Sequence, residues 1–222
     1  MNVDFFSLAV ENRPMGRPRK SEMGPIPTRE RLLQQAMELF AERGFEAVSV
    51  RDITKPLGLT EATLYIHFQN KAALLEAIFQ RMKESLIAPG FAVPPADAFD
   101  GEPAVEDILI DGARRFFSRA GRETLLTWRI LMVSQYRYES ARDRVRTDLL
   151  EAPARFFAAL LRTMQEAGAI RRDVENAAMG RAVAGVFFQY SFRTNLQAAW
   201  EGEAPGEFDR LVEELRMIAR AL

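Results

Sequence analysis

Between Ser49 and Lys71 the chain gathers side chains suited to gripping and reading a polyanion. Glu61 can accept a hydrogen bond from cytosine N4, and Ala62 can touch a thymine methyl, with Thr63 beside them. The Tyr65 phenol and the His67 imidazole both suit a phosphate oxygen. Lys71 falls where a helix begins, and the unpaired N–H groups of a helix start attract phosphate as well. Glu61 also reads as a favourable charge in a first helical turn, a role compatible with base contact. His67 is the only histidine and the chain has no cysteine, so two-histidine metal sites, cysteine metal sites, disulfides and thiol nucleophiles are excluded. There is no His-Glu-x-x-His and no phosphate-cradling glycine loop. Carboxylates such as Asp107, Asp111 and Glu151 read as solvated helix faces. No catalytic residue, metal ligand or cofactor is assigned.

Those side chains need two short helices to position them. Val50, Ile53 and Leu57 share one helical face, and Leu64 and Phe68 share another beginning at Thr60. Between them lies Gly58-Leu59-Thr60. Glycine takes the positive φ of a sharp helix end, Leu59 can pack between the helices, and Thr60 is a good N-cap. Two helices joined in this way form a helix-turn-helix, whose second helix enters the DNA major groove. Leu64 and Phe68 then point inward, leaving Glu61, Ala62, Thr63, Tyr65 and His67 outward or sideways. Ser49 caps the first of the pair, and Asp52 sits in its first turn. Pro56 removes a backbone donor and clashes with the preceding turn, so that helix should shorten or kink near Lys55. Upstream, Thr28 opens a helix with Leu32, Leu33, Ala36, Leu39 and Phe40 on its apolar face. Gly44 ends it and Phe45 folds back as a core anchor.

The stretch from Thr28 to about Leu75 is similar to the DNA-binding domain of the TetR family of bacterial transcriptional regulators. The resemblance rests on Leu39-Phe40, Gly44-Phe45, Val50-x-x-Ile53, Thr63-Leu64-Tyr65-x-x-Phe68 and Lys71-x-x-Leu74-Leu75, all at the family's spacing. It implies an all-α protein: a three-helix helix-turn-helix domain over residues 28–75, then a larger helical effector-binding and dimerisation domain over 76–222. It implies that Glu61 and Ala62 read base edges and that Tyr65, His67 and Lys71 meet phosphate. Thr28, Ser49, Thr60 and Thr63 complete the DNA-binding set. It further implies a double-stranded operator, a small-molecule effector, and a homodimer formed by the last two helices. A DNA-binding helical protein without effector and a helical enzyme remain as alternatives.

Composition agrees with this division. From Arg13 to Lys83 there are 12 basic and 8 acidic residues, and from Glu84 onward 18 and 21. A basic front and a mildly acidic back suit a DNA-binding domain joined to one with other work. No apolar run reaches the ~18 residues of a membrane span, the start lacks a basic region before its short apolar run, and the expected location is the cytoplasm. Residues 1–27 read as a basic arm containing Arg17, Arg19 and Lys20, able to add phosphate attraction or to reach a minor groove. Met15 is an alternative start.

The remainder reads as helices over about 71–87, 104–120, 122–138, 140–167, 174–200 and 206–222, with Pro153 expected to kink the fourth of these. Small residues Ala178, Ala182 and Gly185 form one stripe of the penultimate helix. Large aromatics recur on adjacent helices. Phe116, Trp128, Met132, Tyr136, Phe157, Phe187 and Phe188 are the expected lining of a pocket for a hydrophobic or aromatic ligand.

Overall fold

A computed structural model describes residues 26–84, 92–99, 104–119, 121–200 and 206–222. Helices make up its regular structure, with no strand among the described residues. They are α1 (Thr28–Arg43), α2 (Val50–Thr54), α3 (Glu61–His67), α4 (Lys71–Met82), α5 (Val105–Ser118), α6 (Arg122–Ser134), α7 (Glu139–Arg144), α8 (Ala152–Glu166), α9 (Asn176–Trp200) and α10 (Glu207–Ala221). The arm residues Arg17, Arg19 and Lys20 lie outside the described residues.

The described residues form two compact units, one of 26–84 with 121–142 and the other of the rest. The expected contiguous boundary at residue 75 is therefore crossed: α4 and α6 pack on α1 within the first unit. The reason is side-chain chemistry that linear reading did not pair. Trp128, Ile130 and Leu131 of α6 are buried, and the Thr127 hydroxyl lies 3.4 Å from the Met37 sulfur of α1. Arg122 reaches Glu38 of α1 at 2.7 Å. Arg81 of α4 joins Glu30 of α1 to Glu123 of α6, the latter at 3.0 Å.

In this unit the helix ends follow local chemistry. Thr28 opens α1 as its first helical residue; the position before it is Pro27, and no side chain caps the helix. Gly44 closes α1 at φ 81°. Pro56 has the expected effect: the α-helix stops at Thr54 and Lys55–Leu57 tighten into a 3-10 turn that ends at Gly58 in the left-handed conformation.

The second unit has its own core of Ile108, Leu109, Phe157, Leu161, Met164, Val183, Phe187, Leu211 and Leu215. Its central pair is α8 against α9. Gly180 lets them meet closely, because a Cβ there would lie 2.6 Å from the Ala158 nitrogen and 2.8 Å from the Ala154 oxygen. The long helix expected over 140–167 is broken differently from a proline kink. Val145–Glu151 form a π-helical segment, and Pro153 sits in the first turn of α8 beyond it, where its missing N–H is tolerated.

Candidate nucleic-acid interface

The geometry of the interface begins with three caps. The Ser49 hydroxyl accepts from the Asp52 amide at 3.1 Å, and the Asp52 carboxylate accepts from the Ser49 amide at 2.8 Å, a reciprocal pair at the start of α2. Thr60 Oγ1 accepts from the Thr63 amide at 3.3 Å and lies 2.9 Å from the Thr63 hydroxyl. Asn70 Oδ1 accepts from the Ala73 amide at 2.8 Å at the start of α4. Ser49, Thr60 and Thr63 thus fix helix starts before they meet any partner.

The Ser49 cap also sets a titration. The Ser49 hydroxyl and, second, its amide hold the Asp52 carboxyl below the ordinary carboxylate value. A carboxylate depressed on folding stabilises the fold above its unfolded pKa, and the contribution disappears as pH falls through the folded value. Asp52→Ala should therefore melt below the parent chain at neutral pH, with the gap closing in acid below the usual carboxylate range. Thermal melting of both proteins across that window checks it; a pH-independent gap would refute the assignment.

Helix α3 is held by a single buried residue, Leu64, with Phe68 buried just beyond its end. Arg29 of α1 stacks its guanidinium 4.9 Å from the Phe68 ring centroid, and Arg31 donates to the Leu57 carbonyl at 3.0 Å. Everything else on α3 is accessible. Glu61, Ala62, Tyr65 and His67 are exposed, as expected, and Thr63 is half-buried. Ile66, at 78% exposure the most accessible large apolar residue of the helix, was not anticipated. The signal was present: Ile66 falls off the Leu64–Phe68 face, and an apolar side chain on the DNA side can meet thymine methyls.

Lys71 is engaged within its own unit. Its ammonium does not extend outward. Nζ donates to the carbonyls of Phe45 and Val48, both at 2.8 Å, and lies 4.2 Å from the Phe45 ring centroid. Two of its three protons are thereby committed to the turn between α1 and α2.

The expected effector residues fall in both units. Phe116, Phe157 and Phe187 come together in the second, with Phe157 and Phe187 centroids 4.9 Å apart and Phe116 and Phe187 6.3 Å apart. Their contact is tight aromatic packing. Phe188 instead faces a groove of about 300 Å³ lined also by Leu149, Leu150, Ala154, Arg181 and Gly185. Trp128, Met132 and Tyr136 belong to the first unit. Trp128 is buried there, Met132 is half-buried, and Tyr136 is 83% exposed.

Comparison with known proteins matches this arrangement. Residues 32–78 fit the family model described as bacterial regulatory proteins, tetR family. The chain is 42% identical over 62 residues to the HTH-type transcriptional regulator UidR of Escherichia coli K12, covering 28% of this chain and 32% of that protein. It is 34% identical over 115 residues to the HTH-type transcriptional repressor BdcR of the same organism, covering 50% of this chain and 53% of that one. The chain thus spans about a third to a half of the length of these relatives. Among solved structures, Salmonella enterica GusR superposes with TM-score 0.63 at 22% identity, over 90% of this chain and 99% of that one, a likeness of fold.

Proposed function

We propose, from a helix-turn-helix domain that belongs to the tetR family of bacterial regulatory proteins, that this chain is a sequence-specific DNA-binding transcriptional regulator. It acts as a repressor that a small hydrophobic or aromatic ligand releases from its operator. The observation that carries the reading is α3: one buried anchor, a capped start, and an outward face of Glu61, Ala62, Tyr65, Ile66 and His67. That face offers a hydrogen-bond acceptor and apolar groups to base edges, with a phenol and an imidazole for phosphate.

The functional unit is a homodimer through α9 and α10. The exposed stripe of α9, with Ala178, Ala182, Gly185 and Phe192, supports this, as does exposed Met217 on α10. Small residues let a partner helix approach closely. The ligand reading rests on the aromatic-rich second unit and on the apolar groove beside Phe188. Trp128, Met132 and Tyr136 would bear on ligand response from the first unit. No helix among the described residues is long and apolar enough to cross a membrane.

Selection of bound duplexes from a random pool tests the reading. The expected product is an inverted repeat whose half-sites lie roughly 34–36 Å apart, bound by two copies of the chain. Glu61→Ala should change the selected sequence. Tyr65→Phe should weaken all sequences alike and leave the salt slope unchanged, because a phenol that meets phosphate carries no charge and displaces no counterion. A pool that enriches no sequence would refute sequence-specific binding. A chain that stays monomeric on its selected site would refute the dimer.

A further inference from the structure

We propose that Lys71 is a positioning residue for the recognition helix, and that Tyr138 sets the same helix through the ring of Phe45. The inference rests on the DNA-binding reading above and assigns roles within it. Its starting point is a turn whose carbonyls are bonded from outside it. Residues 45–47 form a non-helical turn after Gly44, and Val48 follows it, buried. Carbonyl groups outside a helix need external donors. Lys71 Nζ supplies them to Phe45 and Val48 at 2.8 Å each, with its charge against the Phe45 ring. Lys71 is also the first residue of α4, directly after the Asn70 cap and three residues beyond Phe68, which closes α3. One ammonium therefore ties the α1–α2 turn to the junction of α3 and α4.

Tyr138 holds the other side of that turn. Its ring meets Phe45 edge-on, with centroids 5.2 Å apart, and its hydroxyl donates to the Glu46 carboxylate. Phe45 is steadied in turn by Phe40 at 5.1 Å. Tyr138 thus clasps consecutive residues of the turn that Lys71 also holds. In sequence it stands four residues before the chain passes into the second unit. The series Tyr138–Phe45–Lys71 is a packed path from that passage to the start of α4 and the end of α3. With two of its three protons held by the Phe45 and Val48 carbonyls, Lys71 serves DNA recognition by holding geometry.

The test uses the full chain, its selected operator and a scrambled duplex of equal length. Lys71→Met should lower the operator-to-scrambled affinity ratio by roughly tenfold, the discrimination of about one base pair, with the salt slope unchanged. A fall of about 0.9 in slope with the ratio intact would make Lys71 a phosphate contact and overturn the proposal. Equal weakening on both duplexes, tracking lost folded protein, would overturn it as well. Tyr138→Phe keeps the ring and should keep the ratio; Tyr138→Ala should lower it. The double variant should be no worse than the worse single one, since residues on one path are not additive; independent effects would break the path. Hydrogen exchange of free Tyr138→Ala gives a reading without DNA. Faster exchange is expected at the amides of α3, and acceleration confined to residues 45–48 would overturn the link. Failure of the parent chain to select any operator would strike the DNA-binding reading instead, leaving the exchange result to judge the path.

Discussion

Gly180→Val is expected to lower the melting temperature of the chain by roughly 6–12 °C, from a loss of about 3 kcal/mol. The added Cβ would sit within 2.9 Å of three backbone atoms of α8, at Ala154 and Ala158. Backbone has no rotamer through which to yield, so α9 must lift from α8 and open the core around Val183 and Phe187. The helix-propensity gain on replacing glycine, about 1 kcal/mol at most, does not offset this. Gly185 is the control on the same helix. Nothing lies within 4 Å of its would-be Cβ, so Gly185→Ala should stabilise an isolated chain by about 0.5–1 kcal/mol. Differential scanning calorimetry on both variants decides: a Gly180→Val protein as stable as its parent would mean that the two helices do not approach as described. If Gly185→Ala weakens self-association on dilution, a partner's helix packs on that stripe.

Arg193→Ala is expected to cost about 3–5 kcal/mol, because it leaves the buried Glu207 and half-buried Glu214 carboxylates without the cation between them. Arg193 Nε lies 2.8 Å from Glu207 Oε2, though out of hydrogen-bond alignment, and Nη1 lies 3.5 Å from Glu214 Oε1. Glu207 is 7% exposed. Arg210 reaches it at 3.4 Å from a largely exposed position, too weakly screened from water to take over. The discriminating variant is Arg193→Ala with Glu207→Gln and Glu214→Gln, which removes the charge along with the pair. It should recover most of the loss in urea unfolding. Equal loss in the single and triple variants would mean that Arg193 acts by packing its aliphatic stem, not by charge.

Neither of these sites was legible in the sequence, and the reasons differ. Gly180 sits in a run of small residues, and nothing in periodicity says which one faces a neighbouring backbone. Arg193, Glu207 and Glu214 read as polar-face charges because pairing across two helices is a tertiary fact. What could be read was local: the Ser49 and Thr60 caps, the Gly44 and Gly58 helix ends, the shortening at Pro56, and the outward face of α3 all follow from neighbours within a few residues. Lys71 was placed correctly on the first turn of α4, but its side chain answers to carbonyls 23 and 26 residues upstream. The membership of α6 in the first unit, and so the division of Trp128 from Phe187, depends on contacts some 90 residues apart, as between Thr127 and Met37.

The outward face of α3 has one further consequence. DNA-reading helices rich in lysine and arginine draw most of their binding free energy from displaced counterions. Here the helix carries no lysine or arginine, and its most prominent side chains are Ile66 at 78% exposure and Tyr65 at 53%. Covering them on a groove floor dehydrates apolar carbon, and dehydration registers in heat capacity, not in salt dependence. If α3 binds a groove as proposed, its contribution strengthens on warming from the cold, where apolar dehydration yields least, while the ionic contribution from the rest of the basic front does not share that temperature dependence.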